Sequence, residues 1–323
     1  MSRPRITCRG MAAPLVVLVL CLGLGAAALA AVWMGYVPLP APAQPANSTP
    51  ANTPANSGVY LVGAGDIGEC GLPGAGLTAN LLARFPEATF FTAGDNAYQS
   101  GTPKQFQNCF NPSWGRYKDR IHPAPGNHDW VTPGAQGYFD YFGAAAGLPG
   151  QGWYSYDLNG WHIVMLDSDC NQIKGCQAGS PEEKWLKADL AAHPARCSLA
   201  IWHHPRFSSG SHGNDPVTQD FWKDLYAAGA EIVINGHDHD YERFDLQDPG
   251  GNLDAAHGIR EFVVGTGGAL LRDLAGKPAA NSQKFISGDY GVLALTLYPD
   301  HYTWEFVPQA GKKQSDAGSG ECH

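Results

Sequence analysis

Short apolar runs recur along the chain from residue 59 onwards, and polar, glycine-rich segments separate them. Apolar runs of about four to eight residues bounded by turn-forming residues are typical of buried β-strands. The runs occupy residues 59–64, 89–92, 161–167, 198–202, 232–235, 262–265 and 292–297. Each of these runs is predicted to be a strand. A further run at 302–307 follows Pro299 and Asp300, so 292–297 and 302–307 are predicted to form a closing hairpin.

Helical segments lie between several of these runs, and the clearest of them spans residues 180–192. Ser180 is a favourable N-cap, Pro181 suits the first turn, and Glu183 completes the pattern of a capping box. Because predicted strands and helices interleave along the chain, we expect an α/β fold or a layered α/β sandwich.

The first 57 residues have the pattern of a targeting segment followed by a spacer. Residues 1–10 contain three arginines and residues 11–37 are apolar and uncharged, which indicates a signal peptide or a signal-anchor helix. Ala28 and Ala30 fit a cleavage site, but the apolar stretch is also long enough to span a bilayer, so both alternatives stay open. Residues 38–57 form a linker rich in proline, alanine and asparagine. The folded domain is predicted to span 58–323 and to be secreted or membrane-anchored outside the cytoplasm.

Composition and charge narrow the class of partner. The chain has 323 residues, of which 44% are hydrophobic, and this content excludes a disordered protein. The formal net charge is −9; residues 1–58 contribute three positive charges and no negative ones, so the remainder carries −12. This charge argues against a nucleic-acid polymer as partner, because a polyanion requires a basic surface. A small phosphorylated substrate remains compatible, since a metal ion supplies local positive charge.

Six cysteines follow the leader, an even number that favours disulfides in an exported protein. They are Cys70, Cys109, Cys170, Cys176, Cys197 and Cys322. Six cysteines allow 15 pairings. Cys170 with Cys176 and Cys70 with Cys109 are the pairs we favour, because each would brace loops beside the motifs described below.

One glycine-rich segment imitates a dinucleotide-binding fingerprint. Residues 63–68 satisfy the G-x-G-x-x-G pattern, and Glu87 stands where a ribose-binding acid is expected. That fingerprint leads directly into a helix whose N-terminus holds the pyrophosphate, whereas residues 70–74 predict a loop. We therefore reject dinucleotide binding.

Five short segments contain residue types that bind metals, and four of them follow a predicted strand. They are G-D-I-G at 65–68, G-D-N-A-Y at 94–98, G-N-H-D at 126–129, H-H-P at 203–205 and G-H-D-H at 236–239. Taken singly, these residues are common in turns and cores, but five such segments in one order have no structural explanation. Strand ends converge in layered α/β folds, so we expect the five segments to meet. Their carboxylate, amide, phenolate and imidazole groups suit a hard or borderline transition metal.

In order and spacing, the five segments resemble those of the purple acid phosphatases within the calcineurin-like metallophosphoesterase superfamily. The match covers about residues 59–306, and Tyr98 is its most specific element, because the wider superfamily usually lacks this tyrosine. His212 lies in a His-Gly pair where small members carry a substrate-binding histidine. The resemblance implies a four-layer α-β-β-α sandwich of two mixed sheets with a dinuclear metal site at the strand ends. It also implies hydrolysis of phosphate monoesters.

The resemblance further implies a role for each residue. One metal would be bound by Asp66, Asp95, Tyr98 and His239, and the other by Asp95, Asn127, His203 and His237. Phenolate and carboxylates favour Fe³⁺, while an amide with two imidazoles suits Fe²⁺, Zn²⁺ or Mn²⁺. A metal-bound hydroxide would attack phosphorus, while His128 and His212 would contact the phosphoryl group and protonate the leaving group. His203 is assigned in preference to His204, because the first histidine of H-x-P is the ligand in the family.

Two other functions are compatible with the sequence. A phosphodiesterase acting on nucleotides is the second enzymatic hypothesis. A surface binding module with a vestigial site is the hypothesis from another class of protein. The presence of every ligand position, Asp95 and His237 included, disfavours the vestigial site.

Overall fold

A computed structural model describes residues 57–323 of the chain. The predicted leader at 1–37, and the predicted linker at 38–57 except its last residue, lie outside the described residues. Within 57–323, no helix combines the length and the apolar character that crossing a membrane requires.

Six strands of the described residues form a first, mixed sheet. They are β1 Val59–Ala64, β2 Thr89–Ala93, β3 Ile121–Ala124, β11 Gly291–Leu297, β12 His301–Pro308 and β13 Asp316–Glu321. The order across the sheet is β13-β12-β11-β1-β2-β3. β1, β2 and β3 are parallel, whereas β11 runs antiparallel to β1 and to β12.

Seven further strands of the described residues form the second sheet. They are β4 Tyr154–Leu158, β5 Trp161–Met165, β6 Cys197–Ile201, β7 Ile232–Asn235, β8 Tyr241–Phe244, β9 Arg260–Val264 and β10 Ser282–Ile286. The order is β10-β8-β9-β7-β6-β5-β4, with β5, β6, β7 and β9 parallel to one another. The sheets contact each other through pairs such as Tyr154 Oη, which donates to the Pro123 carbonyl at 2.9 Å.

Helices cover the two sheets. They are α1 Gly74–Leu82, α2 Pro103–Gln105, α3 Asn127–Trp130, α4 Gln136–Phe142, α5 Pro181–Ala192 and α6 Gln219–Ala227. α1 packs on β11 of the first sheet, while α5 and α6 pack together on the second. Phe221 of α6, for example, contacts Trp202 beyond the end of β6. The predicted α/β sandwich of two mixed sheets is confirmed.

The seven predicted strands and the closing hairpin are confirmed, with bounds within two residues of those expected. The apolar pattern missed β3, β4, β8, β10 and β13, and four of these lie at sheet edges. Edge strands need no continuous apolar run and tolerate proline, as Pro123 in β3 illustrates. β8 lies inside the sheet but carries the charged Glu242, which is buried and accepts a hydrogen bond from Ser209 N at 2.7 Å.

Helix α5 is capped as predicted at Ser180, but the predicted capping box is wrong. Ser180 Oγ accepts from Glu183 N at 3.2 Å. The Glu183 carboxylate accepts from Gly179 N at 2.9 Å instead of from Ser180 N. Ser180 N donates to the Gln177 carbonyl at 2.9 Å, so the preceding turn already satisfies the donor that a capping box would use.

Three disulfides join the six cysteines of the described residues. The predicted pairs Cys70–Cys109 and Cys170–Cys176 are confirmed. The third, Cys197–Cys322, joins the start of β6 to the residue after β13. The glycine-rich segment at 63–68 leads into a loop, and α1 begins only at Gly74.

Candidate metal centre

The five motif segments meet because each follows the carboxyl end of a parallel strand. β1, β2 and β3 lie side by side in the first sheet, and β6 and β7 lie side by side in the second. Asp66, Asp95, Asn127, His203 and His237 each follow the end of one of these strands by two or three residues. The strand before Asn127 is β3, which the apolar pattern did not predict, and Asn127 itself begins the short helix α3 instead of lying in a loop.

The backbone is strained at three of these positions. Asp66, Asp95 and His237 have φ angles of 60°, 50° and 70°, in the left-handed region. Such conformations cost about 1–3 kcal/mol at a non-glycine residue and persist where the surrounding structure enforces them. Here Asp66 N donates to the Gly94 carbonyl at 3.0 Å, and His237 N donates to Asp66 Oδ2 at 2.8 Å. These hydrogen bonds therefore stabilise the strained backbone and hold side chains from different loops in one place.

Two of the motif glycines are required by close packing at this point. A Cβ atom at Gly94 would overlap the imidazole of His203, and Gly94 itself has a φ of 82°. A Cβ atom at Gly126 would overlap the backbone nitrogen and the carboxylate of Asp95. These glycines let the loops approach until their side chains share a single site.

One group of donor atoms surrounds the phenol of Tyr98. Its Oη lies 2.6 Å from Asp66 Oδ1, to which it donates, 3.0 Å from Asp95 Oδ2 and 3.2 Å from His239 Nε2. His239 Nδ1 lies 2.7 Å from the Leu270 carbonyl. A carbonyl only accepts, so Nδ1 carries the proton and the Nε2 lone pair of a neutral ring points toward Tyr98.

A second group surrounds His203. Its Nε2 lies 3.1 Å from Asn127 Oδ1, 3.2 Å from Asp95 Oδ2 and 3.2 Å from His237 Nδ1. His203 Nδ1 lies 2.8 Å from the Ala93 carbonyl, so in a neutral ring Nε2 is free to bind a cation. Asp95 Oδ2 belongs to both groups, which is the position of a carboxylate able to bridge two cations.

The charges of the site favour a cation. Burial opposes ionisation of His203, but the Asp95 carboxylate outweighs it and raises the pKa of the imidazole to about 10. Burial and the Asp66 and Asp95 carboxylates raise the pKa of the Tyr98 phenol well above its ordinary value. Burial and the neighbouring His203 lower the pKa of His237, whose neutral ring offers a lone pair. Protons thus occupy positions from which a metal ion would displace them.

The donor set fits two cations of the expected kind. Its atoms are carboxylate, phenol and amide oxygens and imidazole nitrogens, with no thiol among them; Asn127 and His237 are half-buried and the other five residues are buried. Asp66, Asp95 and His203 each offer a ligand atom within 4.8 Å of the others. Oxygen and imidazole ligands of this mixture suit iron, zinc and manganese.

The two predicted substrate histidines lie at the edge of this cluster. His128 N donates to Asp95 Oδ1 at 2.7 Å, while its ring Nδ1 lies 2.7 Å from the Gln99 carbonyl. The His212 ring lies over the His237 ring, with centroids 4.0 Å apart. The side chains of His128 and His212 are 28% and 38% exposed, so a substrate can reach both.

The structure adds two residues that the sequence analysis did not single out. Asp238 is buried between the two histidines of the G-H-D-H segment and accepts hydrogen bonds from His212 N at 3.0 Å and from its Nδ1 at 2.9 Å. Arg272 Nη1 lies 3.1 Å from His212 Nε2 and 3.1 Å from Ser211 Oγ. Asp238 could have been found from the sequence because it stands inside the G-H-D-H segment, whereas Arg272 lies in none of the five segments.

His204 lies beside the cluster but in different surroundings from those of His203. Its Nδ1 is 2.8 Å from Ser168 Oγ, and its ring centroid is 4.3 Å from that of His237. Burial and the neighbouring His203 lower the pKa of His204 to about 3, so its ring is neutral. Its ring nitrogen Nδ1 is therefore engaged by Ser168, which belongs to neither group of donor atoms.

Comparisons with known proteins agree with this fold. The sequence model of the calcineurin-like phosphoesterases matches residues 61–241. The chain is 28% identical over 240 residues to purple acid phosphatase 15 of Arabidopsis thaliana, covering 64% of this chain and 43% of that protein. Its fold is similar to that of purple acid phosphatase PPD1 from yellow lupin seeds (TM-score 0.71, 19% identity, 82% of this chain, 54% of that one). It is also similar to GAP50, the anchor in the inner membrane complex of Plasmodium (TM-score 0.62, 16% identity, 80% and 88% covered). The chain thus spans about half the length of the two purple acid phosphatases.

Proposed function

The chain belongs to the calcineurin-like phosphoesterase family, and from this premise we propose that it is a metal-dependent phosphatase acting on phosphate monoesters. The observation that carries the proposal is the convergence of seven donor side chains from five segments that follow strand ends. They are Asp66, Asp95, Tyr98, Asn127, His203, His237 and His239. The proposed sites are Asp66, Tyr98 and His239 for one cation and Asn127, His203 and His237 for the other, with Asp95 shared.

Two bound cations would offset the charge of a phosphoryl group and activate a water molecule for in-line attack. His128 and His212 flank the cluster, where they would hold phosphoryl oxygens and orient the ester. Asp238 accepts a hydrogen bond from His212 Nδ1, which fixes the ring, while Nε2 accepts from Arg272 Nη1 in this structure. In the imidazolium form His212 would carry the proton to be donated on Nε2, with Arg272 turned to the phosphate. We assign His212 as the group that donates a proton to the leaving alcohol.

The proposed location is outside the cytoplasm, either secreted or attached to a membrane by the N-terminal segment. Three disulfides in the described residues support this location, because such bonds persist in oxidising compartments. The charge order of the first 37 residues supports it independently.

The test compares p-nitrophenyl phosphate with bis(p-nitrophenyl) phosphate, alongside metal analysis of the same preparation. We expect the monoester to be hydrolysed faster, activity to disappear on chelation, and activity to return when the metals are restored. Faster hydrolysis of the diester would identify a phosphodiesterase instead. Bound metal without turnover of either ester would identify a binding module.

We expect the protein to be coloured when Fe³⁺ occupies the cation site that includes the Tyr98 phenol. A phenolate bound to Fe³⁺ absorbs visible light by charge transfer, so the Tyr98→Phe variant should lose this band. The control is Tyr138→Phe, which removes a buried hydroxyl that donates to the Pro123 carbonyl, outside the site. Colour that survives in Tyr98→Phe would contradict the ligand assignment, and a colourless active protein would contradict Fe³⁺.

The guanidinium of Arg272 predicts an effect on substrate affinity. Its Nη1 lies 3.1 Å from His212 Nε2 at the edge of the site, so the guanidinium should pair with the phosphate of an incoming ester. Solvent screens this contact, so Arg272→Ala should raise KM by about tenfold and change kcat less. Lys277→Ala, an exposed cation in the same segment, is the control and should leave KM unchanged. Equal KM values for Arg272→Ala and the parent would remove Arg272 from the substrate site.

A further inference from the structure

Glu69 directly follows the first motif segment and joins two loops of the candidate metal centre. Its Oε1 accepts a hydrogen bond from Gln99 Nε2 at 3.0 Å, and its Oε2 accepts one from Leu270 N at 3.0 Å. Gln99 follows Tyr98 in the chain, and Leu270 belongs to the segment after β9. One carboxylate therefore connects two loops that are distant in sequence.

Both partners of Glu69 hold imidazole rings of the site through their carbonyl groups. The Leu270 carbonyl lies 2.7 Å from Nδ1 of His239, one of the proposed metal ligands. The Gln99 carbonyl lies 2.7 Å from Nδ1 of His128, one of the two histidines proposed to contact the phosphoryl group. A carbonyl only accepts, so each contact places a proton on Nδ1 and fixes the direction of the ring. The positions of Leu270 and Gln99 thus determine where two imidazoles point.

The backbone at Glu69 is itself fixed, whereas Leu270 depends on hydrogen bonds. Glu69 N donates to the Ile67 carbonyl at 3.1 Å, and the adjacent Cys70 forms a disulfide with Cys109. Leu270 is 64% exposed, so apolar packing contributes little to its position. The hydrogen bond from its backbone nitrogen to Glu69 therefore helps to hold its carbonyl in place.

We propose that Glu69 is a positioning residue that sets the affinity of the cation site containing Tyr98 and His239. It acts through Leu270, whose carbonyl orients the His239 ring. The inference rests on the proposed function, from which it takes the cation site. Loss of a group that orients a metal-binding histidine costs about 10–100-fold in metal affinity. Glu69 is half-buried and partial contact with water weakens its hydrogen bonds, so the lower end of this range applies.

Two alternative roles for this carboxylate give different results. A contact that only stabilises the fold would lower the melting temperature when removed and leave metal affinity unchanged. A negative charge that attracts the cation from a distance would be lost in Glu69→Gln as fully as in Glu69→Ala. A positioning group differs from both, because the amide oxygen of Glu69→Gln still accepts from Leu270 N.

The experiment dialyses the metal-free whole protein against buffers of graded free Zn²⁺ and measures the zinc bound per chain. Ultraviolet absorption of tyrosinate marks the binding step at Tyr98, because a metal ion displaces the phenol proton there, and the Tyr98→Phe variant lacks this signal. At this step Glu69→Ala should need about tenfold more free Zn²⁺ than the parent, with the other step unchanged. Glu69→Gln should bind as the parent does. Glu305→Ala, an exposed glutamate on β12, is the control and should also match the parent.

Three outcomes would overturn the proposal. They are equal Zn²⁺ affinity in Glu69→Ala and the parent, a shift of both binding steps together, and a Glu69→Gln variant that binds as weakly as Glu69→Ala. Turnover of p-nitrophenyl phosphate by the parent is measured in the same preparation. A parent that hydrolyses the ester while Glu69→Ala keeps its affinity would refute only the role of Glu69. A parent without bound metal and without turnover would contradict the proposed function, and the role of Glu69 with it.

Discussion

Replacement of Asp95 by asparagine is expected to abolish turnover and to release metal from the protein. Asp95 Oδ2 lies 3.0 Å from Tyr98 Oη and 3.2 Å from His203 Nε2, so one carboxylate serves both proposed cation sites. An amide has nearly the same shape but no charge, and it compensates two cations much less well. Because metal ions contribute several kcal/mol to transition-state stabilisation, kcat/KM should fall by more than about a thousandfold.

This prediction is checked by measuring metal per chain and kcat/KM on p-nitrophenyl phosphate in one preparation. Asp140→Asn, an exposed position on α4, is the control for loss of an aspartate as such. It should retain both metal and activity. An Asp95→Asn protein that keeps two metals and parental activity would show that Asp95 is not the shared ligand.

Replacement of His212 by alanine is expected to lower kcat/KM by about two to four orders of magnitude while both metals remain bound. His212 forms a hydrogen bond with Asp238 and packs against the His237 ring, and the neighbouring Arg272 contacts Ser211. His212 contributes no atom to the two groups of donor atoms around Tyr98 and His203. Loss of a positioned proton donor has an effect of this size. Metal content should therefore separate His212 from Asp95, although both variants lose activity.

A series of aryl phosphates distinguishes the role of His212 further. A good leaving group needs little protonation, so the loss in His212→Ala should shrink as the leaving-group pKa falls. A residue that only holds phosphate would show the same loss for all esters. Activity equal to that of the parent on poor and good leaving groups alike would exclude His212 from catalysis.

Much of the candidate site could be predicted because its residues stand in short segments beside strong strand signals. The runs at 59–64, 89–92, 198–202 and 232–235 are central strands of their sheets, and most of their residues are buried and apolar. Each run ends one or two residues before the glycine or histidine that begins a motif segment. The strand that precedes G-N-H-D was not predicted, because β3 is a four-residue edge strand with Pro123 inside it.

Local sequence was insufficient where distant parts of the chain meet. Arg272 and His212 are 60 residues apart, and their contact depends on the segment that follows β9 folding back across the metal centre. Such pairings depend on which surfaces pack, and no short pattern encodes them.

The class of fold, the central strands and the chemical types at their ends follow from the amino-acid pattern alone, because apolar runs and motif residues are local properties. Long-range packing settles which atoms face each other: Asp95 lies between Tyr98 and His203, and the ring proton of His239 is turned to the Leu270 carbonyl. The same packing places Asp238 where it accepts a hydrogen bond from His212. These relations depend on the register of two sheets and on left-handed backbone turns at the ligands, which long-range packing holds in place.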